Sequence, residues 1–384
     1  MAQRKEEIAT FLNRLIETKA VPGVVCGIAD SSETLLQASA GVQNSQTQQM
    51  MTNESIVAIA SMTKPITTMA VLQLFEQGLV GLDNPVSDYL PELAGLKMRV
   101  GFDPNGRQQL KAIDAPPTLR QLLTHTSGFV YEIWNKNAQL AVTSGQNESA
   151  FSAGGLEVPL DFEPGERWEY GIGIDWAGRV VERISGKSLD VYFADHIFQP
   201  LGMKDTAFSV PEEQQHRHAD IHRRGPEGFH PEPKFALSVS GGGGLQSTVD
   251  DYIQFMRCIL NQGNSNGGRL LRADTVKLML MNQIGDLTVG PVQSQMSTMS
   301  CDFDLTFARG GKWSLGFLLH DSNLPEGRSE GSVSWAGLFN SFFWIDPDRD
   351  LCAVIATQLL PFCEPAAINM LTEFEHLVYS ECQC

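Results

Sequence analysis

Ile8, Phe11, Leu12, Leu15 and Ile16 recur at intervals of three and four, which places them on one face of a helix. Pro22-Gly23 breaks that period and leads into the apolar run "VVCGIA", a strand signal. After the turn residues Asp30 to Glu33, "TLLQASAG" supplies a second run, and the two are expected to pair as a hairpin. From Thr67 onward, Met69, Ala70, Leu72, Leu74 and Phe75, with small residues between them, predict a helix buried on most sides that ends at Gly78. Towards the other end, "SLGFLL", "FNSFFWI" and "LCAVIATQLL" read as strands, the last two joined by the turn "DPDRD". Ala367, Met370, Leu371, Phe374, Leu377 and Val378 then share the face of a final helix.

Between about Tyr89 and Ser240 strand signals are few, and helix-like runs ("TLRQLLTH", "IDWAGRVVERISG") alternate with Pro/Gly-rich connections. The expected fold is α/β: an antiparallel sheet built from both termini and flanked by helices, residues 1–88 and 240–384, with a mostly helical insertion at 89–239. In "LSVSGGGGLQSTVDDYIQFMRCIL" Ser247 with Asp250, and Thr248 with Asp251, have capping-box spacing, so the glycines precede a helix start.

The 384 residues are 42% hydrophobic, enough for a substantial core. A formal charge of -17 disfavours a nonspecific hold on nucleic acid. The chain has no run of 18 apolar residues, and the start "MAQRKEEIATFLNRL" carries charges where a signal-peptide core would lie, so the expected location is the cytoplasm, away from membranes. Seven scattered cysteines (Cys26, Cys258, Cys301, Cys352, Cys363, Cys382, Cys384) show no metal-ligand spacing and suit reduced thiols.

The chemistry starts at "ASMTKP", where Ser61 precedes Lys64 by three residues at the entrance of the buried helix. Residues three apart on a helical turn share a face, so the hydroxyl and the amine lie within reach of each other. A serine so placed can attack an acyl carbonyl while the lysine removes its proton, and helix N-terminal N–H groups can hold the resulting oxyanion. A lysine serves as a base at neutral pH only if its pKa falls by about 3 units, about 4 kcal/mol. A helix N-terminus supplies about 1 to 2 kcal/mol of that, so another titratable group is expected nearby. Tyr170, after the Pro-Gly turn of "PGERWEYGIGIDWAG", is the candidate.

"SMTK", "LLTHTSG", "PGERWEYGIGIDWAG", "PLGMKDTAF" and "GGGGLQSTVDDYIQF" occur in the order seen in the serine β-lactamase-like superfamily, and the pattern covers about Val21 to Ile355. The chain most resembles the family VIII carboxylesterases and the related fungal lovastatin-type acyltransferases, which share the fold of class C β-lactamases and DD-peptidases. The resemblance implies an active site between sheet and insertion, with Ser61 as nucleophile and Lys64 and Tyr170 as its base system; the two protons are coupled, which leaves the resting form open. It implies an oxyanion hole from the backbone N–H groups of Ser61 and Leu338.

Two departures bear on the substrate. Ile172 stands where β-lactamases and peptidases place an asparagine that contacts the substrate amide, and Trp335-Ala336-Gly337 replaces their Lys-Thr-Gly. Losing both polar contacts turns the expectation from acidic amides to esters. Phe129, Tyr131 and Trp134 follow His125 where relatives line the acyl pocket, and His125 is expected to order a loop near the cleft. The residues expected around the substrate are thus Trp335, Ala336, Gly337, Ile172, Tyr131, Trp134 and His125. The expected activity is hydrolysis of short to medium acyl esters of small molecules, without cofactor or metal. Acyl transfer to an alcohol or amine, and a β-lactamase or covalent penicillin-binding role, are the alternatives.

Other motifs carry less. "GNSNG", Gly263 to Gly267, matches the G-x-S-x-G elbow of α/β-hydrolases but follows a helical run instead of a strand. Gly241 to Gly244 lacks the Lys-Ser/Thr of a phosphate loop, and His216, His218 and His222 have no neighbouring cysteine or HExxH helix to make a metal site. Ser265→Ala is therefore expected to leave ester turnover within about twofold of wild type, measured as kcat/KM on a chromogenic ester; inactivity of that variant would mean that Ser265 is the nucleophile.

Overall fold

In the computed structural model, which describes residues 2–152, 154–226, 228–233, 238–304, 310–322 and 327–380, the first amphipathic run folds as helix α1 (Ala2–Glu17). Its Ile8, Phe11, Leu12 and Leu15 are buried. Strand β1 (Gly23–Ala29) is buried along its whole length, which is why its sequence reads as an unbroken apolar run without alternation. It pairs antiparallel with β2 (Thr34–Asn44) as the expected hairpin, and β3 (Gln49–Met50) adds a short edge.

Five strands come from the other end: β4 (Gly310–Trp313), β5 (Leu318–His320), β6 (Val333–Gly337), β7 (Ser341–Asp346) and β8 (Leu351–Ala356). They join the first three in one antiparallel sheet of order β4-β5-β6-β7-β8-β1-β2-β3, closed where β8 lies against β1 with Cys26 opposite Ile355. The sheet is thus made from both termini. The "DPDRD" turn is a short 3-10 segment capped by Asp346, whose carboxylate accepts from the Arg349 N–H.

Two of the expected strands are shorter than their apolar runs. In "SLGFLL" Gly316 has φ +85 and the Ser314 N–H bonds the Phe317 carbonyl, so the chain turns before β5 begins. In "LCAVIATQLL" the sheet strand stops at Ala356, and Leu359–Leu360 leaves to run parallel to His222–Gly225.

The middle of the chain holds the helices Leu119–Leu123, Lys136–Thr143 and α3 (Gly173–Ser185), together with two hairpins that hydrophobic patterning did not predict. These are Lys97–Phe102 with Gln108–Ala112, and His222–Gly225 with Gly228–Pro231. Both are largely solvent-facing and therefore lack an apolar period. "TLRQLLTH" begins at Thr118, which forms a complete capping box with Gln121.

Helix α2 (Thr63–Glu76) is buried at almost every position, as its sequence predicts, and packs against α3. Helices α4 (Val249–Leu260) and α5 (Pro365–Tyr379) complete the layers. Phe343 of β7 meets Tyr252 of α4, whereas the next residue, Trp344, meets Phe374 of α5. Successive strand side chains point to opposite faces, so α4 and α5 cover opposite sides of the sheet. Helix α1 lies on the α5 side, with Phe11 stacked on Phe374.

Among the described residues no helix is long and apolar enough to cross a membrane. Cys26, Cys258, Cys352 and Cys363 are buried free thiols and Cys301 is half-buried; Cys382 and Cys384 lie outside the described residues. Ser265 sits in a two-residue hairpin, Asn264–Ser265 against Gly268–Arg269, with its hydroxyl donated to the carbonyls of Pro200 and Gly268. His216 is exposed, His218 pairs with Gln246 and His222 is buried, and among the described residues no cluster of His, Cys, Asp or Glu could hold a metal.

Of the two capping-box spacings before α4, Thr248 provides the cap: its hydroxyl accepts from the Asp251 N–H at 3.2 Å. Ser247 instead bonds Thr206 at 2.7 Å. Thr248→Ala should lower the unfolding free energy by about 1 kcal/mol, read as a lower urea midpoint at unchanged slope.

Candidate active site

The chain enters α2 through the 3-10 turn Ala60–Met62. Ala60 is left-handed at φ +45, a conformation that costs a residue with a Cβ about 1 to 3 kcal/mol and must be held by its surroundings. Three elements hold it. From α4, the Tyr252 hydroxyl donates to the Met62 carbonyl at 2.9 Å. From the segment before α4, the Leu245 carbonyl accepts the Ile59 N–H at 3.0 Å. From the sheet, the end of β6 comes so close that a Cβ on Gly337 would lie 2.4 Å from the Ile59 carbonyl oxygen. Only glycine permits that approach. Ser61 is thereby presented at the start of α2, beside the end of β6, where the Leu338 N–H makes no protein hydrogen bond among the described residues.

Lys64 follows on the first turn of α2, and its side chain is fully buried. Its Nζ is 3.1 Å from Ser61 Oγ, 3.1 Å from the Tyr131 hydroxyl and 2.7 Å from the Gly242 carbonyl oxygen. The Tyr131 hydroxyl donates to Asp175 Oδ2 at 3.0 Å. Asp175, in the first turn of α3, accepts through Oδ1 from the Gly242 N–H at 3.0 Å and from the Ser240 hydroxyl. Gly242 is itself a close-approach position: a Cβ there would fall 2.1 Å from Asp175 Oδ2. Burial first, then the Asp175 charge, push the Tyr131 phenol well above its ordinary value, so it stays protonated and can donate.

Tyr170 is buried with its ring over the Lys64 amine, 4.9 Å from Nζ to the centroid. Its hydroxyl accepts from Trp335 Nε1 at 3.3 Å and makes no hydrogen bond to Lys64. Indole N–H is only a donor, so that contact leaves the Tyr170 proton available. Behind it, His125 packs edge-on against Tyr170 and Trp313, with Nδ1 accepting from the Gly171 N–H at 3.3 Å. Burial, and then the nearby Lys64, hold this imidazole well below its ordinary value and hence neutral.

Ser61 opens into a cavity of about 190 Å³ whose apolar wall includes Tyr131, Trp134, Phe151, Met299 and Leu338. Of the residues expected around a substrate, Tyr131 and Trp134 line it. Trp335, Ala336, Gly337, His125 and Ile172 do not: Trp335 backs Tyr170, Gly337 supports the serine turn, and Ile172 faces a separate small cavity with Val130 and Glu132. Asp175, Ser240, Phe151 and Met299 were missed by the sequence reading. An acid five positions after Tyr170 in an otherwise apolar helix start was the available signal for Asp175; Phe151 and Met299 lie in irregular segments that give none.

Comparison with known proteins agrees with this architecture. Monacolin J acid methylbutanoyltransferase of Aspergillus terreus is 30% identical, over 97% of this chain and 95% of that protein. Lovastatin esterase of Penicillium rubens is also 30% identical, over 96% of this chain and 97% of its own length. The unliganded structure of simvastatin synthase (LovD) from Aspergillus terreus superposes with a TM-score of 0.86 at 27% identity, covering all of both chains. The Beta-lactamase family model matches residues 8–371; with the sheet, the helices and the Ser61–Lys64 turn arranged as described, the chain belongs to the Beta-lactamase family and has the α/β fold of the serine β-lactamases and DD-peptidases.

Proposed function

We propose that the protein is a serine acyltransferase that moves a short acyl group from an ester to the hydroxyl of a small, largely apolar alcohol through a Ser61 acyl-enzyme. The observation that carries this reading is the buried Lys64 amine, 3.1 Å from a serine hydroxyl that opens into a mostly apolar cavity. Lys64 takes the Ser61 proton as Oγ attacks the ester carbonyl, and the N–H groups of Ser61 and Leu338 receive the oxyanion, each donor contributing about 3 kcal/mol in the transition state. Tyr170 gives its proton to the departing alkoxide oxygen as that C–O bond breaks, and takes one back from the acceptor alcohol in the second half of the cycle, when Lys64 returns its proton to Ser61 Oγ. The acceptor alcohol then repeats the sequence in reverse, losing its proton as it attacks the acyl carbon and releasing Ser61.

Hydrolysis, the activity expected from sequence, is the second reading: water replaces the acceptor in the last step. It is supported by the lovastatin esterase relative, while the methylbutanoyltransferase and simvastatin synthase relatives support transfer. The apolar wall favours an organic acceptor over water, and among the described residues that line it none carries a cationic side chain, which speaks against a β-lactamase role requiring an anchor for a substrate carboxylate.

The test is turnover of p-nitrophenyl butyrate by the purified protein with and without a series of primary and secondary alcohols, with products resolved by mass spectrometry. Butyryl esters of an added alcohol, formed faster than butyrate, are expected; butyrate alone across the series would make the protein an esterase. Ser61→Ala should lower kcat by at least about a thousandfold in either case, and turnover surviving that substitution would remove Ser61 from the reaction. Tyr170→Phe should retain the fold by circular dichroism and lose about a hundredfold or more in kcat. Unchanged turnover would take Tyr170 out of the proton path.

A further inference from the structure

Lys64 Nζ has three directions besides its bond to Cε, and the structure fills all of them: the Gly242 carbonyl at 2.7 Å, the Tyr131 hydroxyl at 3.1 Å and Ser61 Oγ at 3.1 Å. The Gly242 carbonyl can only accept, so it takes one N–H. Tyr131 has a single proton, and that proton goes to Asp175 Oδ2 at 3.0 Å, so towards Lys64 the phenol oxygen also accepts and takes a second N–H. Asp175 cannot turn to release it. Its other oxygen holds the Gly242 N–H at 3.0 Å and the Ser240 hydroxyl, so the carboxylate accepts from three donors and donates to none. In the neutral form in which Lys64 acts as base, the amine has two N–H bonds and one lone pair, which leaves the lone pair for the one remaining direction, Ser61.

We propose that Asp175 and Tyr131 are positioning residues: by fixing the direction of the Tyr131 hydrogen bond, they aim the Lys64 lone pair at Ser61 Oγ. This rests on the reading of Lys64 as base to Ser61, and it adds two groups that the sequence reading did not place in the proton path. It also explains why Gly242 approaches Asp175 so closely, since the same peptide supplies its N–H to the carboxylate and its carbonyl to Lys64.

Direction makes the inference testable against a purely structural role. In Asp175→Asn the carbonyl end must stay on the Gly242 N–H, which is a donor, so the amide NH2 faces Tyr131. The phenol oxygen then accepts from Asn, its proton swings to Lys64, and the lone pair is drawn to Tyr131 and away from Ser61. Tyr131→Phe removes the relay without reversing it. The substituted enzyme with both changes has no phenol to misdirect the amine.

The measurement is the rate at which an alkyl fluorophosphonate labels Ser61, a reaction in which Oγ bonds to phosphorus, the Ser61 proton passes to Lys64 and fluoride leaves; peptide mass spectrometry locates the label. Tyr131→Phe should slow labelling about tenfold and Asp175→Asn about a hundredfold, while the double variant should return to the Tyr131→Phe rate. Asp175→Asn labelling as fast as Tyr131→Phe, or a double variant no faster than Asp175→Asn, would overturn the proposal. Should Asp175→Asn fail to fold, the near-isosteric Tyr131→Phe still decides: an unchanged labelling rate refutes it. Absence of label on Ser61 in the wild type would instead overturn the nucleophile assignment itself, so the two failures are distinguishable.

Discussion

An amine shut off from water must find every hydrogen bond within the protein, because an unmatched polar group in the interior costs several kcal/mol. Apart from Ser61 one turn away, Lys64 finds its partners on segments distant in sequence: Tyr131 in the middle of the chain and Gly242 in the glycine run before α4. Much of the local architecture follows from bringing these together. Helix α3 must start where Asp175 can reach both Tyr131 and the Gly242 peptide, and the glycine run must lie flat against that helix, with Thr67 of α2 donating to the Gly241 carbonyl at 2.6 Å to hold it there.

The second constraint is the left-handed turn at Ala60. A non-glycine residue stays in that conformation only if its neighbours leave no alternative. Here β6, α4 and the Leu245 segment hold it from different directions. The sheet built from both termini therefore does more than form a core. It brings β6 and the Ser61 turn into contact, although they are separated by most of the chain.

How much of this was legible in sequence depended on burial. Strands β1, β7 and β8 are buried on both faces and announced themselves as apolar runs, as did the all-round buried α2. The solvent-facing hairpins at Lys97–Ala112 and His222–Pro231 gave no period to detect, and β4, with two glycines in four residues, carried little apolar signal. In the site, Ser61 and Lys64 could be paired from their spacing because a helical turn sets the distance. Tyr131 could be placed near the acyl pocket but not on the Lys64 amine, since a contact across 67 positions has no local signature. The hydroxyl of Tyr170 shows the same limit: its partner, Trp335, lies 165 residues away.

Apart from Tyr131 and Asp175, which belong to both, the cavity wall has a different origin from the proton machinery. Trp134, Phe151 and Met299 all sit in turns, whereas Lys64 and Asp175 are on helices and Gly242 and Gly337 occupy positions that admit no side chain. Turn residues tolerate exchange far better than residues locked by packing. Selection acting on this fold can thus redraw which acyl group and which acceptor fit without touching the apparatus that activates the serine, a modularity under which a transferase and an esterase can diverge from one ancestor by changes to the wall alone.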